Sequence, residues 1–142
     1  MRVQVSRTVK VPREKVFAAY SDIESMPKWS GRLSATRVVS RSGNLLTYEG
    51  EVKNGGGVRR FVGSLAFVPL ERAETESETR FVRTKAVVTF ADVPEGTRVT
   101  TTLDVNTKGI WGRLLATNSS EELKARAEEN LNLFAKYVEG LP

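Results

Sequence analysis

Few side chains in this sequence have the chemistry to act on a substrate. Its 142 residues contain no histidine and no cysteine, which excludes histidine-dependent triads, thiolate nucleophiles, disulfides and imidazole or thiolate metal sites. Acid–base work would fall to a carboxylate, a lysine or a tyrosine whose pKa is strongly shifted by its surroundings. Two ionisable residues read as inward-facing, Tyr48 and Arg59. Tyr48 can donate a hydrogen bond to a ligand carbonyl, or serve as a core tyrosine with a backbone partner. Arg59 can bind a carboxylate, phenolate or phosphate on an otherwise apolar molecule, or stand solvated near a strand end. No carboxylate pair is placed to face inward. The run Asn54-Gly55-Gly56-Gly57 lacks the Lys-Ser or Lys-Thr pair and the following helix of a phosphate-binding loop, and reads as a hairpin tip.

Which way these residues face is set by the elements that carry them. Ser6 to Val11 alternates and is rich in β-branched residues, so it predicts a strand. Pro12 stops that ladder and suits the first turn of a helix bearing Val16, Phe17 and Tyr20. Asp22 is placed to cap a second short turn through Met26, Pro27 ends it, and Trp29 follows. From there the pattern gives strands at about 33–40, 44–53, 57–68, 72–79, 81–91 and 96–107 with no crossover helix, hence an antiparallel meander. Ser119 or Ser120 then offers an N-cap to a long helix, with Glu121 and Glu122 in its first turn. Its apolar stripe runs through Leu123, Ala127, Leu131, Phe134 and Val138, and Gly140 ends it. Such a helix spans roughly 30 Å, enough to lie across a curved sheet.

Alternation along the strands sorts the walls. Leu46, Tyr48 and Val52 share a face with Phe61, Leu65 and Phe67, leaving Glu49, Glu51 and Arg60 to water. Glu74, Glu76 and Glu78 share the outer face of the next hairpin, where Arg83 and Lys85 can answer them. The opposite face carries Ala73, Thr75 and Ser77 against Val82, Thr84, Ala86, Val88 and Phe90, with Val99, Thr101, Leu103 and Val105 completing it. Small residues there leave space under the helix, unless Trp29, Trp111 and other large side chains fill it as a solid core. Trp111 and Leu115 lie in the connection 108–115, whose glycines flank the indole; it is either a gate or a plug fixing helix to sheet. Val62 and Val68 fall on the outer face, marking a dimer patch or a slipped register.

Composition narrows the class without assigning chemistry. A chain of this length with 39% hydrophobic and 27% charged residues is expected to form one globular domain over residues 1–142. Neither a spanning apolar run nor a signal-peptide pattern is read, so the expected compartment is the cytoplasm. The net charge of +5 is uneven: residues 1–60 hold 12 Lys and Arg against 5 Asp and Glu, and the remainder 10 against 12. A basic half can favour an anionic membrane surface or RNA, but its positive residues are scattered through strands and loops rather than clustered.

Val11, Pro12, Glu14, Val16, Phe17, Asp22, Ile23, Pro27 and Trp29, together with Asn130, Leu131, Leu133, Tyr137 and Glu139, give a pattern that resembles the START-like or SRPBCC superfamily, the polyketide cyclase, dehydrase and lipid-transport group. The resemblance implies an α+β helix-grip fold: a curved antiparallel sheet of about seven strands around a long C-terminal helix, with two short helices after the first strand. It also implies binding of a small hydrophobic molecule such as a lipid, isoprenoid or aromatic polyketide between sheet and helix. Lining that site would be Trp29, Tyr48, Arg59, Phe61, Leu65, Phe67, Thr75, Thr84, Thr101, Leu103, Trp111, Leu115, Leu131 and Phe134. No catalytic residue, cofactor or metal is assigned. An aromatase/cyclase-like enzyme in the same cavity is the second reading. A module whose basic half touches a membrane or RNA is the third; peripheral contact with an anionic membrane is retained as an accessory of the first reading, without nucleic acid.

Overall fold

The computed structural model describes residues 1–54, 57–79, 82–109 and 120–142. Its elements run β1 (Arg2–Val9), α1 (Arg13–Ser21), a 3-10 helix (Ile23–Lys28), β2 (Leu33–Ser42), β3 (Leu45–Asn54), β4 (Gly57–Val68), β5 (Arg72–Glu78), β6 (Val82–Val93), β7 (Gly96–Thr107) and α2 (Ser120–Glu139). The strands form one antiparallel sheet in the order β1-β7-β6-β5-β4-β3-β2. This is the α+β helix-grip arrangement that the sequence implies.

Strand β1 begins at Arg2, ahead of the predicted Ser6, and stops at Val9, short of the predicted Val11. Arg2 pairs with Asp104 and Val9 with Thr97, so the whole N-terminus is drawn into the ladder. Beyond Val9 the chain bends at once: the Val11 N–H donates back to the Val9 carbonyl at 2.8 Å, and the buried Thr97 hydroxyl donates to the Val11 carbonyl at 2.7 Å. Gly96 makes that bend possible, since its φ is +148° and a Cβ there would lie 2.3 Å from the Val9 carbonyl oxygen.

Two local details of the helical pair differ from the sequence reading. Asp22 gives no side-chain cap to the 3-10 helix; its carboxylate instead accepts the Ser25 hydroxyl at 2.6 Å. Pro27 sits inside that helix rather than ending it. So short a helix tolerates one missing donor, and the N–H groups of Trp29 and Ser30 both close on the Met26 carbonyl. Thr36 ties β2 to this segment by donating to the Ile23 carbonyl at 2.6 Å.

The long helix has the bounds its pattern predicts; Ser119 lies outside the described residues. Leu123, Leu131, Phe134, Ala135 and Val138 are buried and Ala127 partly so. α2 lies chiefly on β1, while α1 touches β6, β7 and α2. Polar ties fix that seating: the Lys10 N–H donates to the Glu139 carboxylate at 2.9 Å, Lys15 Nζ donates to the Leu141 carbonyl at 2.9 Å, and Arg7 donates to Asn132.

The bend predicts unequal costs for two glycine substitutions. Gly96→Ala should lose about 3 kcal/mol or more, because its Cβ meets rigid backbone. Gly43→Ala, at φ +58° with open space around it, should lose only about 1 kcal/mol. Urea denaturation of the two variants checks the order; equal losses would refute the steric account.

Candidate functional site

Paired residues in neighbouring strands point to the same side of a sheet, so the register fixes the inward rows. One row runs Phe67, Ala73, Val88, Thr101, Val5, and the next Leu46, Leu65, Thr75, Ala86, Leu103, Val3. A third runs Tyr48, Gly63, Ser77, Thr84, Val105. The predicted faces of β3 to β7 are therefore correct, and Val62 and Val68 are exposed on the outside.

Burial along these rows is not uniform. Leu46, Leu65, Ala73, Val88, Phe90 and Val99 are buried, as are Leu131 and Phe134 from α2. Toward the other end of β5, β6 and β7, Thr75, Ser77, Thr84, Ala86, Thr101, Leu103 and Val105 remain only half-buried although they face inward. Every one is neutral, and most are small. Phe67 is partly buried against the core, and Arg59 is exposed at the far end of β4. Trp111 and Leu115, with the gate or plug they were expected to form, lie outside the described residues.

The dense end is built from aromatic rings. Phe17 of α1 meets Phe67 and Phe90 with centroids 5.7 and 5.4 Å apart, and Tyr20 meets Phe90 and Phe134 at 5.7 and 5.6 Å. Trp29 packs edge-on to Phe134 at 5.0 Å. On the sheet, the Tyr48 ring lies across Gly63 and the Phe61 ring across Gly50: a Cβ at either glycine would come within 2.5 Å of the ring. The two rings cross at 88°. Each glycine thus accepts its neighbour's ring, which lies down along the sheet.

Polar groups reach this interior as neutral donors. Tyr20, which the sequence reading placed on a helix face but not in the site, has its hydroxyl enclosed and in polar contact with Thr75. Burial pushes its pKa upward, reinforced by the nearby Tyr48 and opposed by Thr75. Burial alone pushes Tyr48 up from 10.0 to about 12. At neutral pH both phenols therefore keep their protons. The signal for Tyr20 was its four-residue spacing from buried Val16; what hid its role was that only the fold shows which strands α1 covers. Trp29 is 6% exposed, and its indole N–H is buried without a hydrogen-bond partner among the described residues.

A separate cleft of about 360 Å³ lies between α1, the 3-10 helix and β2, lined by Asp22, Glu24, Arg41 and four other residues. Its charged lining sets it apart from the neutral half-buried residues of β5, β6 and β7.

Residues 1–139 match the family described as polyketide cyclase / dehydrase and lipid transport. The chain belongs to that family. No curated protein matches the sequence. Among solved structures, a protein from Thermus thermophilus is similar at 23% identity and a TM-score of 0.81, with 97% of each chain covered. The Zhui aromatase/cyclase of a Streptomyces species is similar at 14% identity and a TM-score of 0.81, covering 98% of this chain and 93% of that one. A START superfamily protein from Mycobacterium smegmatis follows at 20% identity and 0.72, covering 98% and 94%. At these identities the likeness speaks to fold.

Tyr48 gives this family member a specific alkaline response. The folded state holds its proton more tightly than the unfolded chain, so the contribution to stability is intact below pH 10 and lost as pH rises through about 12. Tyr48→Phe should make that loss shallower, as read from denaturation midpoints across this range; an unchanged slope would contradict the burial of the hydroxyl.

Proposed function

We propose that the protein binds a small hydrophobic molecule, such as a lipid, an isoprenoid or an aromatic polyketide, between the open end of the sheet and α2. The observation that carries this reading is the run of half-buried, neutral, inward residues on β5, β6 and β7, among them Thr75, Thr84, Ala86, Thr101 and Leu103. Neutral walls of small aliphatic and hydroxyl side chains, with no charge to bury, suit affinity for such a ligand without a reacting group. Family membership supports the same reading. The described helices do not include one long and apolar enough to cross a membrane.

A cyclase-like activity is the second reading, favoured by the hydroxyls of Tyr20, Tyr48 and Thr75 in one region of the interior. With both phenols protonated, they would polarise a carbonyl and fix a folded chain rather than remove a proton. That chemistry would rest on positioning.

Filling the open end tests the first reading. Ala86→Trp should weaken binding of a neutral environment-sensitive dye such as Nile red by about tenfold or more, a change of about 1.4 kcal/mol, with the fold retained by circular dichroism. Extraction of the purified protein followed by mass spectrometry should release a stoichiometric apolar species. Failure of both, in protein that is folded, would overturn the reading. If the protein is also an enzyme, Tyr48→Phe should lower turnover without comparable loss of binding; equal loss would remove catalysis.

A further inference from the structure

The cleft between α1, the 3-10 helix and β2 lies apart from the interior between sheet and α2. Its volume of about 360 Å³ equals that of about twelve waters at the roughly 30 Å³ each occupies in the liquid, room for a molecule the size of an amino acid or a dipeptide. α1 turns Phe17 and Tyr20 to the aromatic interior and Ala18 and Ser21 to this cleft. The two spaces are on different sides of the helix and can be filled independently.

The lining carries both signs of charge. Where the chain leaves α1 it supplies Ser21, Asp22 and Glu24. The last turn of α1 has no basic residue, so its terminal carbonyls leave a negative pole that the two carboxylates reinforce. Both carboxylates are exposed, and each is engaged through a single oxygen: Asp22 accepts the Ser25 hydroxyl at 2.6 Å, and Glu24 accepts the Val38 N–H at 3.4 Å. The Ser21 hydroxyl is enclosed and lacks a hydrogen-bond partner among the described residues, a state that buried polar groups rarely keep. From β2 comes Arg41, exposed and without an ion pair or hydrogen bond among the described residues. Other sheet arginines, such as Arg37, Arg60 and Arg83, pair with a carboxylate on the neighbouring strand. Arg41 stands opposite Leu46 in register and has no such answer. Opposite charges thus line one cleft without pairing across it.

We propose that this cleft binds a small zwitterion of the amino-acid or short-peptide class. Its ammonium group sits at the end of α1 with Asp22, Glu24 and the Ser21 hydroxyl, and its carboxylate accepts from Arg41, whose planar guanidinium suits that group. A cation or an anion alone leaves one side of the cleft unanswered. No chemical step is assigned to the site, and it does not depend on what occupies the interior.

Glycine, 4-aminobutyrate and glycylglycine, titrated at low ionic strength with butylamine and butyrate as singly charged controls, test this through the backbone amide resonances of Glu24, Val38 and Arg41. At least one zwitterion should move these resonances with about tenfold higher affinity than either control, the scale of one further charge-assisted hydrogen bond. Arg41→Gln should bring that zwitterion down to the affinity of butylamine. Glu24→Gln, which keeps an acceptor for the Val38 N–H, should also weaken it. Both side chains are exposed, so these variants should fold, as circular dichroism checks. Ala86→Trp, which fills the open end of the interior, should leave the titration unchanged. Zwitterions that bind no better than the controls, affinities indifferent to both cleft variants, or binding abolished by Ala86→Trp would each overturn this inference. None of those outcomes bears on Nile red binding, which tests the interior separately.

Discussion

The seating of α2 along one edge of the sheet is the constraint on which the rest of the molecule depends. A helix of 20 residues reaches about 30 Å, comparable to the width of seven strands at about 4.8 Å spacing. Instead of crossing that width evenly, α2 lies chiefly on β1, held there by Glu139 at Lys10 and by Asn132 at Arg7. Phe134, 1% exposed, is the point where this seating meets the helical pair, since Tyr20 of α1 and Trp29 both pack on its ring. The end of the sheet beneath α1 is thereby closed by aromatic side chains. The other end presents threonines, alanine and small aliphatics that stay half-buried, with the Tyr20 hydroxyl reaching Thr75.

An open sheet must also protect its edges, and the same helical pair does so at β2. Irregularities between Leu33 and Ala35 and between Val38 and Ser40 interrupt the regular register of this strand. Thr36 bonds to the Ile23 carbonyl, and the Val38 N–H reaches the Glu24 carboxylate at 3.4 Å. These features remove a flat row of free donors that would invite another strand. On the outer surface, Glu74, Glu76 and Glu78 face Arg72, Lys85 and Arg83. Such exposed pairs add little stability each. Their alternation, with Val62 set between Glu49 and Glu78, keeps the outward valines from merging into a broad apolar face.

Much of this was legible in the residues, where the physics is local. Period-two alternation placed β3 to β7 and their inward sets, and the stripe from Leu123 to Val138 placed α2. The start of β1 was missed although Arg2-Val3-Gln4-Val5 alternates and buries both valines; the ladder with β7 carries the strand back to Arg2. Pro27 was misread because a 3-10 turn tolerates what an α-helix does not. Glycines 50 and 63 carried no visible meaning alone; opposite Phe61 and Tyr48 in register, they become the places where two rings lie down. The site shows the same division: inward faces follow from alternation, whereas the half of each face that stays open depends on where α2 comes to rest.

That division bears on the kind of chemistry the interior can support. A site that works by proton transfer needs a group able to change charge near neutral pH, and burial here moves the available phenols the other way, Tyr48 to about 12. Their value lies in remaining protonated donors. Hydrogen bonds from fixed neutral donors gain strength as water is excluded, and they require no charge to be buried with them. Affinity and orientation then come from shape and from a few donors set in an otherwise apolar wall. Any acceleration of a reaction would have to come from holding a reactive chain in one folded conformation, which makes ligand binding the primary property and catalysis, if the chain has it, a consequence of how tightly the open end of the sheet defines the ligand's path.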